Sequence, residues 1–347
     1  MGRVTLQTIA DEVSVSRMTV SNAFSRPDQL SPVLRTEILS VADRLGYCGP
    51  DPAARTLSRG RSGTVGVLFT DTLTYAFTDE VATTFLAGVA AVLESEGIGL
   101  TVLSTPRRGP TGSVRQAVVD GLIIYSVDTN SPGLDVARRR DLPLVMVDQP
   151  PEPGTPSVNV TDRAGARAAA EHVIDLGHRR LGIVLDAMRP EIQLVDADEC
   201  APHYVVSERL AGWQAAAAAA GLATPLVANT PTNDRRDGAV AAGLILDAQP
   251  DTSALLCLSD EMALGAIDAI GARGLRVPDD ISVVGFDDTR AAALTTPALT
   301  TVRQPVTDKG RVAARALLDR LDGATPAPVL LPTELIVRAS TGPFPRP

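Results

Sequence analysis

The sequence predicts an N-terminal all-α helix-turn-helix headpiece with a hinge helix, followed by an α/β core of two lobes built on parallel sheets. Three observations carry this expectation. Two short amphipathic stretches flank a Ser14-Val15 turn near the N-terminus. Beyond Gly63, short apolar runs alternate with amphipathic segments, the pattern of buried parallel strands separated by covering helices. The alternation falls into two series in tandem, which implies two lobes, and 347 residues suffice for two or three domains.

The headpiece elements follow from apolar spacing and caps. Leu6, Ile9, Ala10 and Val13 lie on one side of a first helix, and Val15, Val20 and Ala23 give the next helix a matching face. Arg17, Met18, Ser21 and Asn22 are left facing outward. Ser16 stands where an N-cap belongs, so free backbone N–H groups lie where a phosphate would pass. A second helix so presented is built to enter a DNA major groove. The third helix is punctuated by Ser31 as cap, Pro32 at its first position and Gly46 as its stop, with Leu34, Ile38, Val41 and Leu45 inward.

A further short helix is expected from Asp51-Pro52 to Gly60. Helices under roughly 12–15 residues are marginal in water, so this one should form only against a partner. Leu57, flanked by Arg55, Arg59 and Arg61, has the character of a minor-groove wedge: arginines hold phosphates while an apolar side chain opens a base step.

In the core, the first series has strands at 64–69, 99–103, 121–125, 142–147 and 157–160, with helices near 79–96, 112–118 and 133–140. After a helix at 162–176, the second series has strands at 181–185, 225–228, 253–258 and 281–285, with helices near 207–220, 236–247 and 260–273. Residues 309–321 return to helix. Ligands of open parallel sheets bind beyond the carboxyl ends of strands, so two lobes place a pocket in the cleft between them. The polar stretch 186–206 reads equally as a specificity loop or as solvated variation.

The net charge of −9 argues against nucleic acid only if it is spread evenly. It is not, because residues 1–61 hold eight arginines against six acids, and the local field of the headpiece is what DNA meets. All basic residues but Lys309 are arginine, which reads as genomic bias rather than function. Cys48, Cys200 and Cys257 are odd in number and scattered, so neither a disulfide framework nor a zinc site is expected, and no other metal or cofactor. No signal peptide precedes the headpiece and no apolar run reaches membrane-spanning length, so a cytoplasmic protein without membrane contact is expected.

The headpiece resembles the LacI/GalR family of bacterial transcriptional regulators. The matching segments are Val4-Thr5-Leu6-x2-Ile9-Ala10, Val15-Ser16-x2-Thr19-Val20-Ser21, Leu45-Gly46-Tyr47 and Pro50-x-Pro52-Ala53-Ala54-Arg55-x-Leu57. Further matches are Leu176-Gly177-His178, Arg209-Leu-Ala-Gly-Trp213, Ser259-Asp260-Glu261, Val277-Pro278-Asp279-Asp280 and Leu299-Thr300-Thr301-Val302-x-Gln304-Pro305, so that residues 3–340 are covered. The resemblance implies a periplasmic-binding-protein-like core. It divides the chain into a DNA-binding domain at 1–49, a hinge helix at 50–61 and an effector-binding and dimerisation domain at 62–347. The first lobe takes about 62–161 and 291–322, and the second about 162–290 and 323–347, with residues 329–337 closing the second.

It also implies roles. Thr5, Ser16, Arg17, Met18, Thr19, Ser21, Asn22, Ala54 and Leu57 would contact DNA. Arginine pairs two acceptors of guanine, asparagine bridges adenine, and Met18 suits a thymine methyl; Ser16, Thr19 and Ser21 suit backbone positioning. The competing reading of Arg17 is a phosphate contact, and that of Leu57 is packing within the headpiece. Arg209, Asp287, Asp148, Ser259 and Gln304 would line an effector pocket, where charged groups offer donors and acceptors to sugar hydroxyls; an ion pair on the surface is the plain alternative for Arg209 and Asp287. Tyr75 and Phe77, in the loop after the first strand, read nearly equally as aromatics that stack on a ring and as exposed loop aromatics without a role. Asn233 stands where the family often carries an aromatic residue.

The reading is a homodimeric repressor of double-stranded operator DNA whose effector is a mono- or oligosaccharide. A solute-binding protein shares the lobes but needs an export signal and no headpiece. An enzyme finds no support, since adjacent acids such as Asp287-Asp288 point to different sides and no nucleophile–base spacing stands out.

Overall fold

The computed structural model describes residues 4–49, 60–70, 72–105, 111–128, 130–186, 189–197 and 203–344. The chain forms two compact units, Met1–Gly63 and Thr64–Pro347. The expected hinge helix, with Ala54, Arg55, Leu57 and Arg59, falls outside the described residues, as does Cys200.

In the N-terminal unit, α1 (Leu6–Val13), α2 (Arg17–Ser25) and α3 (Pro32–Arg44) close around Ile9, Ala10, Val20, Ala23, Ile38 and Ala42. Each helix start is capped by a hydroxyl. The Thr5 hydroxyl accepts from the Thr8 amide while the Thr5 amide donates to the Thr8 hydroxyl, Ser16 accepts from the Thr19 amide at 3.0 Å, and Ser31 accepts from the Leu34 amide at 3.3 Å. Ser14, at φ +56°, supplies the left-handed residue that turns the chain from α1 into α2. Tyr47 closes the far end edge-on against Phe24, with ring centroids 5.7 Å apart.

The second unit is built on a six-stranded sheet and a five-stranded sheet. The first consists of β1 (Thr64–Phe69), β2 (Gly99–Ser104), β3 (Leu122–Tyr125), β4 (Leu144–Val147), β5 (Ser157–Val160) and β12 (Val329–Leu331), all parallel, in the order β12-β5-β4-β3-β1-β2. Its strands read as continuous apolar runs because both faces are covered. Val65, Val67 and Phe69 meet α5 (Glu80–Ser95) and α13 (Val306–Leu321) on one side. Leu68, Leu122 and Ile124 meet α6 (Gly112–Gln116) and α7 (Pro132–Arg139) on the other.

The second sheet contains β6 (Leu181–Leu185), β7 (Gln193–Val195), β8 (Leu226–Asn229), β9 (Ala254–Cys257) and β10 (Ser282–Val284), in the order β10-β9-β6-β8-β7. It is wrapped by α8 (Asp162–Asp175), α9 (Tyr204–Ala219), α10 (Arg235–Ala248) and α11 (Asp260–Ala272). Cys257 lies in this core and burial pushes its thiol up. The chain passes between the lobes at 160–162, 303–306 and 331–334. There β11 (Thr301–Arg303) and β13 (Glu334–Ile336) form an antiparallel ribbon, and the hydroxyls of Thr161 and Thr333 lie 2.9 Å apart.

Two details differ from the sequence reading. The strand at 329–331 belongs to the first lobe and not the second: it pairs in parallel with β5, whose outer N–H and C=O groups would otherwise form an open edge. The stretch 186–206 is not only loop. Gln193–Val195 adds an antiparallel edge strand to β8, a pairing that its polar composition conceals.

Helices α5 and α13 cross at a pair of glycines. A Cβ on Gly310 would lie 2.3 Å from the Phe85 carbonyl oxygen, and one on Gly88 would lie 2.3 Å from the Thr307 carbonyl oxygen. Backbone meets backbone here, so neither helix can yield alone. Gly310→Ala should therefore destabilise the core by about 1–3 kcal/mol, read as a lower urea midpoint with an unchanged slope.

Candidate functional site

In the N-terminal unit, Arg17 and Met18 occupy the first turn of α2 and both are exposed, Met18 at 69%. Ser16 is occupied as the cap and also bonds the Thr19 hydroxyl at 2.8 Å. Asn22, one helical turn further on, donates to Gln29 Oε1 at 3.3 Å, so reading a base would require it to exchange partners. Ser21 and Asn22 are half-buried rather than fully outward. Thr5 caps α1.

In the second unit, seven of the eight predicted effector residues line one cavity between the lobes: Tyr75, Asp148, Arg209, Asn233, Ser259, Asp287 and Gln304. Counting the part open to solvent, the cavity spans about 830 Å³. Phe77 does not join them. It is 62% exposed, because it shares with Tyr75 a short helix, α4 (Leu73–Thr78), capped by Thr72. Two residues along a helix turn a side chain by about 200°; one aromatic faces the cavity and the other faces away.

The cavity floor is a continuous chain of buried charge. Arg209, from the second turn of α9, donates through Nε to Asp162 Oδ1 at 2.8 Å and through Nη1 to the Leu258 carbonyl at 2.5 Å. Its Nη1 lies 3.7 Å from Asp287 Oδ1 and its guanidinium stacks 3.4 Å above the Phe286 ring. Asp287 accepts from Gln304 Nε2 at 2.6 Å. Lys309 Nζ then donates to both Gln304 Oε1 and Asp148 Oδ2, each at 2.7 Å. The plain alternative for Arg209 and Asp287, a surface ion pair, is thus wrong in its burial. Arg209 is 5% exposed and Asp287 is 9%.

Lys309 is 1% exposed, and reading the single lysine as compositional bias missed it. In a chain that uses arginine everywhere else, one retained lysine was the available signal. The site suits a compact ammonium, which reaches two acceptors from inside a helix without the width of a guanidinium.

Burial pushes the Asp287 carboxyl well above its ordinary range, against the pull of Arg209, and raises Asp162 in the same way. Arg209 loses hydration on burial, yet Asp162 and Asp287 outweigh this and hold it charged. Strand ends also impose unusual backbone: Asp148 has φ +54° and Asp287 φ +123°, conformations costing on the order of 1–3 kcal/mol each.

Asp260 underpins this geometry. Fully buried at the start of α11, it accepts from the amide and hydroxyl of Thr289 at 2.7 and 3.0 Å and from the Thr301 hydroxyl at 2.5 Å. It thus ties the segment after Asp287 to the crossover strand β11. Burial pushes its carboxyl up to about 6.

Opposite the floor, Ser259 donates to Asn233 Oδ1 at 2.5 Å and Asn233 donates to the Tyr75 hydroxyl at 3.4 Å, so a polar bridge crosses the cleft where an aromatic residue was missed in the sequence. Phe69, Tyr125, Val81 and Leu258 provide the apolar walls. His203 and Ser126 also line the cavity; His203 falls in the stretch that read equally as a specificity loop or as solvated variation, and Ser126 was not singled out in the sequence. Among the described residues no helix is long and apolar enough to cross a membrane, and no group of three His, Cys, Asp or Glu is placed to hold a metal ion.

Residues 170–341 match the model of the periplasmic binding protein-like domain. An HTH-type transcriptional regulator of Mycolicibacterium smegmatis is 39% identical, the match covering 98% of this chain and 97% of that protein. Among solved structures, the complex of the transcriptional regulator CelR with cellobiose has a TM-score of 0.72 at 29% identity, over 97% of this chain and all of that one. The lac repressor dimer bound to operator and the anti-inducer ONPF has a TM-score of 0.80 at 27% identity, over 98% of this chain and all of that one.

Two measurements test the site's electrostatics. Lys309→Met strands Asp148 in a buried setting and should cost about 3–5 kcal/mol in urea unfolding, with part restored by Asp148→Asn in the same chain. For Asp260 the folded pKa lies above the unfolded one. Its contribution to stability is therefore full below about 3.8 and falls as pH rises through about 6. The stability of the wild type relative to Asp260→Asn should accordingly drop by up to about 3 kcal/mol between pH 4 and 7.

Proposed function

The chain belongs to the LacI family of helix-turn-helix transcriptional regulators, and from that premise we propose that it is a homodimeric repressor whose operator affinity is set by a sugar bound between the lobes of its core. It acts as a regulator and not as an enzyme. One observation carries the reading: the same chain joins a hydroxyl-capped recognition helix with Arg17 and Met18 exposed to a cleft floored by buried carboxylates and an arginine. A solute-binding protein uses such a cleft but has no use for such a helix.

In this reading residues 1–49 bind DNA, 50–61 form the hinge helix and 62–347 bind effector and dimerise. Arg17, Met18 and Asn22 contact bases, while Thr5, Ser16, Thr19 and Ser21 position the backbone on phosphates. Ala54 and Leu57 enter the minor groove from the hinge. The solved lac repressor was captured as a dimer on operator and CelR with cellobiose, which supports a palindromic double-stranded operator and a mono- or oligosaccharide here. Asp148, Arg209, Asp287 and Gln304 take the hydroxyls, Tyr75 supports the ring, and Asn233 and Ser259 close the opposite wall.

Coupling follows from where the floor lies. Asp148 belongs to the first lobe and Asp287 and Arg209 to the second, while Gln304 sits on a crossover between them. A ligand that engages both ends biases the angle between lobes, and with it the separation of the two hinge segments in a dimer. Differential affinity for the two arrangements is what such a switch requires. A coupling of about 1–3 kcal/mol, or roughly 5- to 150-fold in operator affinity, is expected.

The decisive experiment is selection of genomic fragments by the purified protein, followed by fluorescence anisotropy with the selected site in the presence of mono- and disaccharides. A palindromic site whose occupancy one sugar changes within that range supports the proposal; no selected site, or no sugar effect, refutes it. Arg17→Ala should cost about 1–3 kcal/mol of discrimination at one base pair. Leu57→Ala should weaken operator binding while leaving sugar affinity unchanged, and equal operator binding would exclude the wedge.

A further inference from the structure

Two histidines stand at the carboxyl end of α8. His172 lies in its last turn and His178 just beyond it, after Leu176-Gly177. Both reach the C-terminal segment 338–344, which runs beside β10. The Val283 amide donates to the Ser340 carbonyl, the Gly342 amide to the Ser282 hydroxyl and the Phe344 amide to the Leu176 carbonyl. The Phe344 ring lies beside His178, with centroids 5.5 Å apart. At its other end the segment is fixed next to the crossover. The Arg338 amide donates to the Thr300 hydroxyl at 2.9 Å, and its guanidinium donates to Asp288 and to the Leu299 carbonyl.

The partners of the two rings fix where their protons lie. His178 Nε2 is 3.1 Å from the Gly342 carbonyl oxygen. A carbonyl only accepts, so Nε2 carries the proton, and in a neutral ring Nδ1 is bare. That Nδ1 is buried without a hydrogen-bond partner, in a residue 1% exposed. His172 is the opposite tautomer. Its Nε2 is 2.9 Å from the Thr341 hydroxyl, which is 3.0 Å from the Thr300 hydroxyl. Thr300 is fully buried and already accepts from Arg338. Its own proton therefore goes to Thr341 and the Thr341 proton to His172 Nε2, the one order in which both hydroxyls find an acceptor.

A second proton on either ring breaks this order. On His178 it would sit at Nδ1 and face no acceptor. On His172 it would make Nε2 a donor, reverse both hydroxyls and leave the buried Thr300 proton unpaired, and unpaired buried donors are costly. The surroundings act in the same sense. Burial lowers both imidazoles; the Gly342 carbonyl draws His178 back up against His172 and Arg179, and Asp175 draws His172 up. Residues 282–284, 299–300 and 339–344 bring no titratable side chain to either ring. In the loop of Pro278, which packs on Gly342, Arg276 pairs with Asp279 and Asp280.

We propose that His172 and His178 form a proton-sensitive clasp, which holds the C-terminal segment on the second lobe while both rings are neutral and releases it from β10 and the crossover on acidification. Both folded pKa values lie below the unfolded value of 6.5. The hold of the clasp is therefore full above about 6.5 and is lost as pH falls through the folded values.

The test is amide hydrogen exchange of the full chain, read by mass spectrometry at pH 7.5 and 5.5 with exposure times scaled to the intrinsic rate. Protection of residues 338–344 should fall by about tenfold at pH 5.5, while β6 and β9 keep theirs. Glutamine places an amide oxygen or N–H near Nε2 and does not titrate. His172→Gln with His178→Gln in one chain should hold the segment to within about threefold at both pH values. Unchanged protection in the wild type at pH 5.5 would overturn the clasp, as would an equal fall in wild type and variant, which would assign the effect to other groups. If the glutamines fail to hold the segment at pH 7.5, the imidazoles decide. The chain has three histidines, and His203→Gln identifies the third proton resonance. The remaining two should titrate below 6.5 in the wild type, and titration of both at or above 6.5 would refute the proposal.

Discussion

The cleft floor is governed by one constraint: carboxylates and cations taken out of water must find each other there. Asp148, Asp162 and Asp287 are offset by Arg209 and Lys309, with the amide of Gln304 relaying between them. An isolated buried charge costs several kcal/mol even after relaxation, and only close pairing with further hydrogen bonds recovers that cost. Every member is therefore placed by the needs of the next. The strand ends carrying Asp148 and Asp287 adopt positive φ at the residues that join this network.

The same arrangement joins the two lobes at the cleft floor. The floor is not contained in one lobe but spans two of them and a crossover. Asp260 holds the crossover strand to the segment after Asp287 with three hydrogen bonds. The cross-cleft contacts of Tyr75 with Asn233 and of Ser126 with His203 are longer, at 3.2–3.4 Å, and lie near the surface of the cavity.

Much of the fold was legible in the sequence, for reasons particular residues make plain. Ser16 and Ser31 cap helices because a hydroxyl before an apolar repeat has little else to do, and Pro32 belongs at a first turn. The strands of both lobes were visible as apolar runs because parallel sheets bury both faces. Pocket residues were harder. Asp148, Ser259 and Gln304 were found through family resemblance, while Arg209 beside a helix start and Asp287 at the end of an apolar strand were also marked by position. Tyr75 and Phe77 were indistinguishable until the short helix carrying them was known, and His203 lay in a stretch that read equally as a specificity loop or as solvated variation and gave no hint of a strand.

Caps, turns and strand runs are decided by neighbours a few residues apart, and these the sequence by itself determined. It also determined that a headpiece precedes two α/β lobes, since the order of patterns is the order of the chain. What only the tertiary structure decided is which distant residues meet. Lys309 and Asp148 are 161 residues apart, and their pairing follows from the strand order that sets β4 under α13. The strand at 329–331 was free by composition to close either lobe, and the open edge of β5 claimed it. Charge compensation and strand pairing at long range depend on three-dimensional distance, which no spacing along the chain encodes.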